Sequence, residues 1–159
     1  MGSAPEATLA YGYALGGADG WDLVEVDEYD GIDPAKVTWY DEDSEDDFMG
    51  QAEKRLLATL LGFTETDWRV DGYFAREREA KSSLGVKFYG HGYDAGQMYA
   101  LVTKTITVKW GESKVLDLPT LMAEPAERGW DDKLAAALTA LGITPKQERP
   151  GWLLCAYYG

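Results

Sequence analysis

The sequence predicts an α+β fold: two ββαβ-like repeats packed about a pseudo-two-fold, with a mostly antiparallel sheet and two principal helices at about 45–61 and 130–141. Three observations carry this prediction. Short runs of alternating apolar and polar residues mark half-buried strands. Two longer segments place apolar residues at three-and-four spacing and close on glycine, as amphipathic helices do. Leu61-Gly62-Phe63-Thr64 recurs as Leu141-Gly142-Ile143-Thr144 at a separation of 80, Arg69 recurs as Arg149 at the same separation, and Tyr89-Gly90-His91 echoes Tyr11-Gly12-Tyr13 at 78. This common period sets repeats at 8–79 and 84–159 inside one compact domain, 1–159. Two copies are too few for a solenoid.

The first strand is expected where Leu9, Tyr11, Tyr13 and Leu15 alternate with Ala10, Gly12 and Ala14. Gly16 to Gly20 reads as a turn and Trp21 to Val26 as the returning strand. Residues 28–47 form an acidic loop, with a short strand around Val37 to Tyr40. In the first helix Phe48, Met49, Ala52, Leu56, Leu57, Leu60 and Leu61 share a face, Ser44 is the candidate N-cap, and Asp46 and Asp47 fall in the first turn. Arg69 to Ala75 reads as a weak strand. In the second half, Leu84, Val86 and Phe88 mark a strand entering Tyr89-Gly90-His91-Gly92-Tyr93-Asp94, which reads as a hairpin turn. Met98 to Trp110 is a long strand, and Gly111 to Lys114 is a turn leading to Val115-Leu116-Asp117-Leu118. The second helix carries Trp130, Leu134, Ala137, Leu138 and Leu141 on one face, and Trp152 to Tyr158 closes the chain as an apolar strand.

Charge is distributed unevenly. The net charge is -13, yet residues 1–79 carry 20 Asp or Glu against 6 Lys or Arg, whereas residues 80–159 carry 8 against 9. From Asp19 to Asp47, 13 acidic side chains face only Lys36. Such a field repels nucleic-acid phosphates and attracts basic surfaces. No apolar run approaches the roughly 20 residues that span a bilayer, and the first residues lack the basic flank of a secretory signal. Cys155 is the only cysteine, so no internal disulfide forms, and a cytoplasmic protein is expected.

Motifs for chemistry are sparse. Gly90-His91-Gly92-Tyr93-Asp94-Ala95 matches the dinucleotide-binding pattern formally, but a strand follows it where the phosphate-binding helix N-terminus should stand. Cys155 lies in an apolar strand without the signature of a catalytic thiol. One histidine and one cysteine cannot build a structural zinc site. Asp41, Asp43 and Glu45 have the alternation of a calcium loop, but the sixth position is Asp46 rather than glycine and the twelfth is Ala52 rather than glutamate. No metal, cofactor or catalytic residue is assigned. Paired carboxylates are inevitable among 28 acidic residues and carry no signal without geometry.

The leading expectation is therefore a non-enzymatic interaction protein whose acidic segment docks on a basic partner surface, in its sharpest form an inhibitor that mimics nucleic acid. The partner-binding residues expected are Trp21, Glu25, Asp27, Glu28, Asp30, Trp39, Tyr40, Asp41, Glu42, Asp43, Glu45 and Asp46. The aromatics would supply the buried anchors that affinity requires. The rival expectation is a small-molecule-binding or hydrolytic domain, with a pocket where Tyr11 and Tyr13 face Tyr89, His91, Tyr93 and Asp94 and His91 serves as base. A third reading is a structural subunit kept soluble by its acidic loop.

Overall fold

The computed structural model describes residues 5–17, 21–27, 29, 31–93 and 96–158. The elements run β1 (Glu6–Gly17), β2 (Val26–Asp27), β3 (Gly31–Ile32), α1 (Phe48–Leu61), α2 (Tyr73–Ser83), β4 (Lys87–Tyr93), β5 (Met98–Lys109), α3 (Leu118–Arg128), α4 (Trp130–Leu141) and β6 (Gly151–Tyr158). The class is α+β, with four helices and a mostly antiparallel mixed sheet among the described residues. No helix among them is long and apolar enough to cross a membrane.

The four long strands close into a ring in the order β1-β5-β4-β6. β1 pairs antiparallel with both β5 and β6, and β4 pairs antiparallel with β5. A parallel contact, Gly92 with Tyr157 and Tyr93 with Tyr158, closes the ring. So small a ring has a narrow interior, which Ala10, Ala100 and Val102 fill together with Tyr89 and Leu153. The other face of β1 and β5 packs Tyr11, Tyr13, Leu15 and Leu101 into the main core with α1 and α4. Gly12 lies at a register shift in β1, where a Cβ would sit 1.9 Å from the Leu101 carbonyl oxygen.

α1 begins one turn later than Ser44 would place it. Asp47 is the N-cap, accepting from Gly50 N at 2.7 Å. α1 packs on α4, and Arg55 Nε donates to the Ala140 carbonyl across that contact. α4 occupies the predicted span. Both helices end on a left-handed glycine, Gly62 or Gly142, whose amide bonds back into the last turn while the next amide reaches Leu57 or Leu138. The Leu-Gly-x-Thr match is thus, at minimum, one helix stop used twice.

Several segments differ from the expectation. Tyr11-Gly12-Tyr13 lies inside the first strand, as its alternation predicts, but Tyr89-Gly90-His91 is a strand interior as well and not a hairpin turn. Residues Trp21–Val26 form no returning strand: Leu23 makes a single bridge to Pro145, and only Val26–Asp27 pairs, with Gly31–Ile32. Val37–Tyr40 is a turn around the fully buried Val37. Arg69–Ala75 leads into α2, a helix whose only buried residue is Tyr73. α2 is held by polar contacts instead: Arg76 to Glu65 and Lys81 to Glu53 tie it to neighbouring segments, while Tyr73 and Lys81 bond Glu77 within the helix. α3 contains Pro125 and is pinned through Glu124, which is 7% exposed and takes Lys104 Nζ at 2.8 and 3.0 Å, with Arg128 beside it. The long strand β5 stands where the first half has only β2 and β3, and α4 is followed by the strand β6 whereas α1 is followed by the helix α2. This architecture does not confirm the duplication.

Candidate functional site

The acidic segment crosses the end of α4 and enters α1. It is irregular, because its short polar side chains satisfy the backbone locally in place of a sheet ladder. Asp33 Oδ1 accepts from Ala35 N at 2.9 Å, Asp41 Oδ1 from Asp43 N at 3.0 Å, and Ser44 Oγ from Asp46 N at 3.2 Å. Tertiary bonds fix it to the body. Val24 N donates to the Thr144 carbonyl, Glu25 Oε2 accepts from Thr144 N at 2.8 Å, and Trp39 Nε1 donates to the Leu141 carbonyl at 2.6 Å.

The arm from Asp41 to Asp47, every residue of it exposed, has its own staple. Gln51, in the second turn of α1, accepts from Asp41 N at 2.8 Å, and its Nε2 donates at 2.9 Å to the carbonyls of both Asp41 and Asp46. One amide side chain therefore clamps both ends of the acidic run. Asp46 pairs with Lys54 and Asp47 caps the helix. Glu42, Asp43 and Glu45 make no ion pair among the described residues.

The expected aromatic anchors face inward. Trp21 is 5% exposed and packs on Phe48 and Phe88, with ring centroids 4.6 and 5.2 Å away. It alone among described non-glycine residues has a positive φ, 47°, a backbone strain offset by burial of the indole. Trp39 and Tyr40 are half-buried against Phe48, both at 5.1 Å. These rings hold the segment to the core and are not free to enter a partner's pocket. Asp27 is exposed and turns the chain by accepting from Tyr29 N. Glu28, Asp30 and Asp94 lie outside the described residues.

The rival constellation is split by the sheet. Tyr11 and Tyr13 belong to the main core, where Tyr11 contacts Trp130 and Trp152. Tyr11 donates to Asp131 Oδ1 at 2.6 Å; burial first, then this bond and the Asp131 charge, push its pKa up to about 12. Burial, followed by the Asp131 charge, raises Tyr13 as well. Tyr89 turns into the ring interior and donates to Thr8 Oγ1 at 2.7 Å, which shares a 2.8 Å bond with Thr107 Oγ1. His91 stacks on Tyr89 at 5.9 Å, and burial lowers its pKa. Burial raises the Cys155 thiol, the direction of an inert core cysteine. Tyr93 is exposed. A groove of about 430 Å³ lies at the α3–α4 turn, lined by Tyr11, Trp152, Met122 and Asp131, with none of the histidine cluster. Among the described residues no three His, Cys, Asp or Glu side chains gather as a metal site.

No family model, curated protein or solved structure matches this chain. The functional reading therefore rests on the geometry. Gln51 and Lys54 were not legible as arm-positioning residues. Gln51 lies ten positions from Asp41, and only the folding of the arm against α1 brings them together.

Proposed function

We propose that this chain is a non-enzymatic interaction protein whose acidic segment docks on a basic partner surface, in its sharpest form an inhibitor that occupies a phosphate-binding surface in place of nucleic acid. The observation that carries the reading is the clamped arm. Glu42, Asp43 and Glu45 are exposed and unpaired among the described residues, on a backbone that Gln51 holds at both ends. A pre-ordered array loses less conformational entropy on binding than a floppy acidic tail, and its field steers a basic surface toward it. Asp27, Asp33 and Asp41 extend the negative surface, with Lys36 the only lysine or arginine between Asp22 and Asp47 in the sequence, while Asp22 itself pairs with Lys146. Because Trp21, Trp39 and Tyr40 are committed to the core, the contact is predominantly electrostatic and so weakens steeply with salt. The same proposal takes the chain as a single cytoplasmic domain whose halves are copies, supported by the packing of α1 on α4 and by their common stops.

The test is binding to a captured basic partner across a salt series, with the wild-type chain and with Glu42→Gln, Asp43→Asn and Glu45→Gln combined. The reading expects weaker binding of the variant at low salt and convergence at high salt. Where the partner binds nucleic acid, the chain should compete with it. A stable ternary complex would refute the mimic while leaving acidic docking intact.

A further inference from the structure

The sheet carries a second surface of opposite character. Tyr11 and Lys104 are cross-strand neighbours on β1 and β5, and Tyr11 also faces Trp152 on β6. α3 and α4 cover this row: Lys104 reaches Glu124, and Tyr11 reaches Asp131. Beyond it, on the same face by strand alternation, comes the row Leu154, Leu9 and Ile106, then Ala156, Ala7 and Val108. Neither row contains a charge. Leu154 is 82% exposed, Trp110, just past β5, 78%, and Met122 of α3, beside the covered row, 76%. The segment from Trp110 to α3 is exposed throughout and adds Val115 and Leu118, together with a charged rim of Glu112, Lys114 and Asp117.

We propose that this face is the interface of a homodimer, formed by packing against the same face of a second copy of the chain. Three features select that occupant. At Ala7 and Leu9, the centre of the face, β1 is hydrogen-bonded on both edges, so a partner seated there must use side chains, as two stacked sheets do at a spacing of about 10 Å. The face with its flanking segment amounts to on the order of 800 Å² per copy, the share each partner gives to a standard interface and more than most monomers leave exposed in one patch. Finally, charge argues against a basic occupant. Asp22 donates its amide to the Leu15 carbonyl at the far end of β1, about 20 Å along the strand from Leu9 at roughly 3.3 Å per residue. That distance exceeds the Debye length of about 8 Å at physiological salt. A basic partner is drawn to the acidic end, whereas two copies meeting through these two uncharged rows keep their acidic segments apart. The surface is independent of the acidic dock, and the two respond to salt with opposite sign: screening residual repulsion between two chains of net charge -13 tightens the dimer.

Sedimentation equilibrium of the full chain over a wide concentration range, at low and high salt, tests this. The expected result is twice the 17.6 kDa chain mass, with association tighter at high salt. Leu154→Glu should raise the dimer Kd by at least about tenfold, since it buries an unpaired charge in an apolar contact, while its circular dichroism stays that of the wild type. Trp110→Glu, at a position outside the strand ladder, should weaken the dimer in the same way and replaces Leu154→Glu if that variant misfolds. The Glu42, Asp43 and Glu45 variant should still dimerise. A wild-type chain that stays monomeric at every concentration, or a dimer that both folded glutamate variants leave intact, overturns the proposal.

Discussion

The acidic arm from Asp41 to Asp47 and the glycine-rich strand from Tyr89 to Tyr93 have opposite designs. The arm has no regular structure, yet its backbone is fixed by side-chain bonds from Asp41, Ser44 and Gln51, and Glu42, Asp43 and Glu45 make no ion pair among the described residues. The strand is regular, and its polar groups are engaged inside the ring: the Tyr89 hydroxyl on Thr8, the His91 ring on Tyr89. The difference teaches that irregular backbone is not loose backbone, and that the lone histidine of a glycine-rich motif can be packed on a neighbour whose hydroxyl is engaged in the sheet interior.

The largest test of this contrast concerns the sheet. Gly12→Ala should cost about 3 kcal/mol or more, because the new methyl meets the Leu101 carbonyl oxygen at a distance that only backbone movement can relieve; urea unfolding measures it. Gln51→Ala should cost less, about 1 kcal/mol, but should abolish hydrogen-exchange protection at Asp41 N while leaving β4 amides protected. Were protection at Asp41 unchanged, the clamp would not be what orders the arm.

Two smaller effects depend on pH. Tyr11 has a folded pKa of about 12 against 10.0 in the unfolded chain, so its contribution is fully present below pH 10 and is lost as pH rises from 10 to 12. Tyr11→Phe should flatten that alkaline loss of thermal stability. For His91 the folded pKa is lowered by burial from 6.5, so the unfolded chain binds the proton more readily and stability falls as pH drops below 6.5. His91→Gln should remove that acid slope and leave stability near pH 8 within about 0.5 kcal/mol. A larger loss near pH 8 would give His91 a structural weight that its stacking on Tyr89 does not imply.

The elements legible in the sequence were those whose stabilisation is local or periodic. β1, β5, β6 and α4 announce themselves through alternation, three-and-four spacing and glycine stops. α2 was hidden because its surface is polar nearly all round and Tyr73 alone is buried, so no apolar stripe marks it. α3 was hidden by Pro125, which argues against a helix until the Glu124 contact to Lys104 is seen. For the candidate site, the acidic run was legible as composition. The inward turn of Trp21 and the reach of Gln51 were not, since each depends on a contact with a distant segment: Phe88 for one, Asp41 for the other.

The most direct measurement is partner affinity as a function of salt for the wild-type chain and for the combined Glu42→Gln, Asp43→Asn and Glu45→Gln variant, both confirmed to unfold at the same temperature. A docking arm predicts that the variant binds more weakly at low salt, with a shallower salt dependence, and that the two curves meet at high salt. Superimposable curves at every salt concentration would contradict it.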